Sequence, residues 1–204
     1  MKTLQELTTY KNTKNLRDLQ TLKLGRNYFY YKEIDSTQKE IWRRIENNQI
    51  TDGTLIRAEN QTAGIGTHGR KWVSTTNNIA FSFYIELNCR LEKLEGITVD
   101  IAKIIINLIK EMYGIQLEIK LPNDIYFDGK KLGGILTESK VKGNMAKFMV
   151  VGIGINNSQL IFDGELKNIA SSIKKEFGIE LDVGKIISYL CNRLEKMIIN
   201  RIED

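Results

Sequence analysis

From Ile79 to Leu87 apolar side chains recur at every second position, with Ala80, Ser82, Tyr84 and Glu86 between them. A period of two predicts a strand with one face on a core. From about Ile97 to Tyr113 the rhythm changes. Asp100, Lys103, Asn107, Lys110 and Glu111 recur at intervals of three and four and leave the rest of the circumference apolar, which predicts a largely buried helix. A second helix is expected from about Val183 to Ile199, where Ile187, Leu190, Leu194 and Ile198 form a stripe. Shorter strands are read at Tyr28 to Ile34, Thr54 to Glu59, Gln116 to Lys120, Ile125 to Phe127, Lys131 to Leu136 and Lys147 to Ile155. Asp128-Gly129 is a hairpin turn signal and Asp52-Gly53 a turn. Asp35 with Gln38 has the spacing of a capping box, ahead of Ile41, Trp42 and Ile45 on one helical face. Scattered leucines over residues 3 to 22 allow one or two short helices, too few for a DNA-reading domain.

Composition narrows the function classes. The 204 residues suffice for one full core with a small appendage, and 42% hydrophobic with 27% charged residues is ordinary for a globular chain. The first residues carry no apolar leader and no stretch is long and charge-free enough to span a bilayer, so a cytoplasmic protein is expected. Cys89 and Cys191 belong to no metal-binding spacing and His68 is the single histidine, so no metal site held by the protein alone is expected. The net charge of +5 permits an anionic partner, but 30 basic residues interspersed with 25 acidic ones make no nucleic-acid arm.

The candidate chemistry centres on Asn60 to Trp72, where Gly64, Gly66 and Gly69 permit close approach of the backbone to a ligand and Arg70, Lys71 and Trp72 follow at once. The spacing also matches a dinucleotide-binding fingerprint, but Arg70 to Ser74 has no helical period and a strand pattern follows, so that reading is set aside. Ser36 and Thr37 fall where a strand feeds a helix N-terminus, a place where hydroxyls either hold a ligand or simply cap the helix. Lys120 stands at a strand end before the one proline, and the following hairpin delivers Lys130 and Lys131. Cations gathered so closely suit a polyphosphate, whereas Lys120 taken alone reads rather as an exposed strand-end lysine. Glycines inside the last strand, Gly152 and Gly154, imply close approach of a ligand or another backbone.

Five segments in order, Asp35-Ser36-Thr37-Gln38, Gln61 to Trp72, Lys120-Leu121-Pro122-Asn123-Asp124, Lys131 to Glu138 and Gly152 to Asn156, resemble the catalytic domain of biotin protein ligases. The resemblance covers about residues 28 to 175. It implies an α+β fold related to class II aminoacyl-tRNA synthetases and lipoate ligases, with a mixed central sheet and flanking helices. It also implies that biotin and Mg2+-ATP form biotinyl-5′-adenylate, whose acyl group passes to a lysine of a biotin carboxyl carrier protein or domain. By similarity Ser36, Thr37, Gln38, Gln61, Gly64, Ile65, Gly66, Thr67, Lys120 and Gly133 face biotin. Arg70, Lys71, Trp72, Asn123, Lys131 and Asn156 face the nucleotide, and Lys120 is the catalytic cation. The family usually carries arginine where this chain has Ile65 and Thr67.

The implied division is a short N-terminal helical segment over 1–27, a catalytic domain over 28–175 and a C-terminal helical segment over 176–204 in place of the usual small β-barrel. No winged-helix domain and no DNA or membrane partner are expected, and a homodimer is compatible with the pattern. A lipoate or octanoate ligase on the same fold, and a non-catalytic biotin-binding module, are the rival readings.

Overall fold

A computed structural model describes residues 16–74 and 77–203. Its frame is an eight-stranded mixed sheet. Strands β1 (Tyr28–Ile34), β2 (Leu55–Ile65), β3 (Lys71–Ser74), β4 (Ile79–Arg90), β5 (Glu118–Lys120), β6 (Asp124–Phe127), β7 (Lys130–Lys142) and β8 (Met145–Ile155) lie in the order β1-β2-β4-β8-β7-β6-β5, with β3 paired to β2. The β1–β2 pair is parallel, joined through helix α1 (Thr37–Glu46), and the other pairings are antiparallel.

Helices α2 (Ile97–Tyr113) and α5 (Val183–Glu203) close the opposite face, while two short helices, α3 (Leu166–Ile169) and α4 (Ile173–Phe177), precede α5. Ile101, Ile105, Leu108 and Ile109 of α2 share one buried cluster with Ile187, Leu190, Leu194 and Ile198 of α5 and with Tyr28, Leu55, Phe81, Phe83 and Ile153 of the sheet. Helix α5 is thus packed into the same core as the strands. On the α1 face a smaller cluster joins Ile41 to Tyr31, Ile34, Ile56, Ala58, Tyr84 and Val150.

With helices on both faces, β4 is buried on both sides from Ile79 to Ile85, and strict alternation begins only at Glu86. This departs from the one-sided strand expected from sequence, because the second cover comes from α1, a distant part of the chain. The helix-cap reading is also corrected. Ser36, not Asp35, is the N-cap of α1 and accepts from the Lys39 N–H. Asp35 instead takes the Ser36 N–H and two Arg43 guanidinium nitrogens, and Arg43 holds its carboxyl below the usual carboxylate range, helped by that N–H.

Residues 16–27 form turns rather than a helix, and the rest of the expected N-terminal helical segment lies outside the described residues. This stretch is fastened by Glu195 of α5, whose buried carboxylate accepts the N–H groups of Leu22, Lys23 and Leu24 at 2.6–2.8 Å. Among the described residues, no helix is long and apolar enough to cross a membrane.

Candidate active site

Residues two apart on a strand share a face, and this places the site. On the α1 face, Tyr84 of β4 pairs with Val150 of β8, and both are covered by α1. One step further the pair is Ser82 with Gly152, and beyond it Ala80 with Gly154. Gly154 also pairs with Gly134 of β7. Past the N-terminus of α1 the sheet therefore carries small residues, and a slot opens over them.

Its roof comes from the glycine-rich stretch. Strand β2 does not stop before that stretch, as expected, but continues to Ile65. After a register shift Gly64 pairs with Trp72 of β3, and a Cβ on Gly64 would stand 2.5 Å from the Trp72 carbonyl oxygen, so only glycine permits the pairing. The turn is closed by Gly66 N–H to Arg70 O at 2.7 Å and Arg70 N–H to Thr67 O at 3.2 Å. Trp72 is thereby carried back across the slot and laid on Gly154, where a Cβ would meet Cε2 and Cζ2 of the indole at 2.5 Å.

The slot is narrow, with an open volume of about 50 Å³. Its inner end is polar, with Ser36, Thr37, Gln38, Gln61 and Ser82 among the lining residues, and Ile65, Trp72 and Leu136 supply apolar surface. Thr37 donates its N–H (2.8 Å) and its hydroxyl (3.1 Å) to Gln61 Oε1, and its Oγ1 lies 2.8 Å from Ser82 Oγ. Among the described residues four buried polar side-chain atoms meet no hydrogen-bond partner, and two of them, Gln38 Oε1 and Trp72 Nε1, belong to residues lining this slot. Buried polar groups are rarely left unpaired, so this wall is built for a polar ligand.

A second cleft, with an open volume of about 180 Å³, adjoins the slot; Gly66, Thr67, Trp72, Asp124 and Lys131 line both. Arg70 and Lys71 supply further positive charge there, while Tyr126, Phe162 and Ile169 supply apolar surface. Lys131 Nζ is held 2.6 Å from Asp124 Oδ1. Thr67 Oγ1 accepts from Arg70 Nη2 at 3.0 Å and, more weakly, from Asn123 Nδ2 at 3.5 Å, which ties the roof to the β5–β6 turn.

Most of the residues named from sequence meet here. Ser36, Thr37, Gln38, Gln61, Ile65, Gly66, Thr67, Trp72, Asn123 and Lys131 line the slot, and Arg70, Lys71 and Asn156 line the second cleft. Asn156 is turned partly inward, donating to the Ser171 carbonyl at 3.0 Å. Three residues stand apart from both linings. Gly64 and Gly133 serve backbone packing, the latter because a Cβ there would stand 2.9 Å from the Gly154 carbonyl oxygen. Lys120 is exposed on β5, its Nζ 4.8 Å from the Tyr126 ring centroid, beside the second cleft but outside its wall. Sequence reasoning did not name Ser82 in the slot or Tyr126, Gln159 and Phe162 in the cleft as site residues, and Gly134 and Leu136 entered only within the segment Lys131 to Glu138.

Residues 30–156 match the biotin/lipoate A/B protein ligase family. Similar relatives include the bifunctional ligase/repressor BirA of Bacillus subtilis (strain 168), 36% identical over 181 residues that span 87% of this chain and 55% of that protein. BirA of Escherichia coli (strain K12) is 30% identical over 165 residues, 79% of this chain and 50% of that one. The chain spans about half the length of these relatives. Among solved structures, a biotin protein ligase from Aquifex aeolicus in complex with biotin and ATP superposes with a TM-score of 0.72 at 28% identity, over 88% of this chain and 73% of that one.

Proposed function

The chain belongs to the biotin/lipoate A/B protein ligase family, and from that membership and the two joined chambers we propose that it is an ATP-dependent biotin protein ligase. The observation that carries the reading is the shared wall of Thr67, Trp72, Asp124 and Lys131 between a slot polar at its inner end and a cleft rich in cations. A small acid seated with its polar ring innermost would present its carboxylate at that wall, facing the nucleotide's α-phosphate.

In the first half-reaction a carboxylate oxygen of biotin forms a bond to the α-phosphorus of Mg2+-ATP and the bond to pyrophosphate breaks. Two anionic groups must approach, so fixed cations stabilise the transition state more than the separated reactants. Lys131 stands at the junction for this task, and Lys120 reaches the same anion by leaving the Tyr126 ring. Arg70 and Lys71 face the departing phosphates. In the second half-reaction the neutral amine of a carrier lysine attacks the acyl carbon, AMP leaves and the ammonium proton passes to solvent. The roof at Gly66 to Trp72 excludes water from an intermediate that hydrolysis would destroy. The partner is a biotin carboxyl carrier protein or domain, and the reaction belongs to the cytoplasm.

Exchange of labelled pyrophosphate into ATP tests this reading, with biotin and lipoate supplied in parallel. Exchange that requires biotin supports it. Exchange driven by lipoate would move the chain to the other branch of the family, and no exchange with either would leave a binding module.

A further inference from the structure

The inner end of the slot contains two side-chain amides, and the protein sets their polarity in opposite directions. Gln61 spends its oxygen on the Thr37 N–H and hydroxyl, which leaves its Nε2 as the group offered to a ligand. Gln38 is fixed the other way round. Its Nε2 donates to Glu138 Oε2 at 2.8 Å, and the same carboxylate oxygen receives the Trp42 indole N–H at 2.7 Å. Gln38 is only 3% exposed, and its Oε1 meets no donor, lying where a Cβ on Gly152 would come within 2.8 Å. Turning that amide over would set its oxygen against the carboxylate oxygen, and a carboxylate has only acceptors to offer.

We infer that Glu138, anchored by Trp42, is a positioning residue that makes Gln38 a hydrogen-bond acceptor. With Gln61 as donor, the slot then selects a group that carries a carbonyl and an N–H side by side. A cyclic urea has both; a dithiolane or a plain acyl chain has neither. The inference deepens the biotin reading and rests on it for the ligand, but the setting of the amide is a property of the protein alone. A merely structural Glu138, linking β7 to α1, would act on stability and leave selectivity untouched.

Glu138→Leu separates these roles. Leucine accepts nothing, so the Gln38 amide loses the partner that sets it and turns over, its oxygen toward the Trp42 N–H and its NH2 toward the slot. Biotin affinity measured by calorimetry should fall about 10- to 100-fold as two donors meet, and the melting midpoint should fall with it. Glu138→Gln is the conservative variant: its amide oxygen, in the place of Oε2, accepts from both Gln38 and Trp42, so affinity should stay within about threefold of the parent. Parent affinity in E138L, whatever its melting midpoint, or a loss in E138Q equal to that in E138L, overturns the inference.

A ligand-free measurement keeps it distinct from the biotin reading. Because both donors share one oxygen, the Gln38 NH2 protons should show NOEs to the Trp42 indole proton in the parent and lose them in E138L. With those NOEs present and no biotin bound, the slot reading fails while the amide setting stands; without them in the parent, the setting itself is wrong.

Discussion

Gly154→Ala isolates the role of Trp72. The added methyl would lie 2.5 Å from Cε2 and Cζ2 of the indole and 3.0 Å from its Nε1, whereas carbon atoms rest at about 3.5–4.0 Å. Something must retreat by about 1 Å. Gly154 is held in the middle of the sheet, paired to Ala80 on one side and Gly134 on the other. Trp72 lies on a four-residue strand paired to β2 alone. The indole should therefore move, lifting from the floor it shares with the ligand. Overpacking at a rigid site costs about 1–3 kcal/mol. If a ligand needs the ring in its original place, binding must restore the strain, and the same energy becomes about a 5- to 150-fold loss of affinity. Calorimetry with biotin, alongside thermal unfolding, measures both quantities. Parent affinity in the variant would show that Trp72 is not a wall of the ligand site. A large fall in melting temperature with intact affinity would show that the sheet yields instead of the ring.

Four further outcomes are expected. Lys120→Ala should lower biotin-dependent pyrophosphate exchange about 100- to 1000-fold while biotin affinity changes by less than about threefold; equal exchange rates would remove Lys120 from the chemistry. Gln61→Ala should weaken biotin binding by about 1–3 kcal/mol in a calorimetric titration, because a buried polar group is left unpaired, and unchanged affinity would place the polar ring elsewhere. Glu195→Ala deprives the Leu22, Lys23 and Leu24 amides of their shared acceptor and should cost about 2–3 kcal/mol in urea unfolding; an unmoved midpoint would show that the tether contributes nothing. The Asp35 carboxyl is held low by Arg43, so its contribution is complete above the ordinary carboxylate range and disappears as pH falls through the lowered value. Asp35→Asn should be less stable than the parent at neutral pH and approach it as the pH falls below the lowered value; a gap of constant size from neutral to acid pH would refute the linkage.

How legible the molecule was in its sequence depended on whether the cause was local. The helix Ile97–Tyr113 and strand Tyr28–Ile34 have the expected limits, because periodicity and end signals lie within the segments. The Asp128-Gly129 turn was equally plain, and both residues have positive φ. The glycine-rich stretch misled in part, since β2 is kept extended as far as Ile65 by pairing with β3, a cause outside the segment. Ser82 read as an ordinary polar position of an alternating strand, yet it lines the slot because the distant N-terminus of α1 is brought to it, Thr37 Oγ1 lying 2.8 Å from its Oγ. Glu138 entered as part of a motif, and its partnership with Gln38 and Trp42 depends on bringing together residues 96 and 100 positions apart. Lys120 was read as one of a group of cations and took its catalytic role from the resemblance, and its position on the Tyr126 ring is a tertiary contact that no local pattern encodes.

Strand β5 has three residues and forms the sheet's outermost strand, paired to β6 alone. Such a segment opens at low free energy compared with central strands. The proposed catalytic cation therefore hangs from one of the least supported parts of the sheet, while Ser82, Gly152 and Gln61 are set in strands braced on both sides. In amide hydrogen exchange β5 should lose protection long before β4 and β8. On the proposed function the molecule would combine a stiff end for the ring with a compliant end for the charge, and substrate identity would be fixed before the lysine has to find its place.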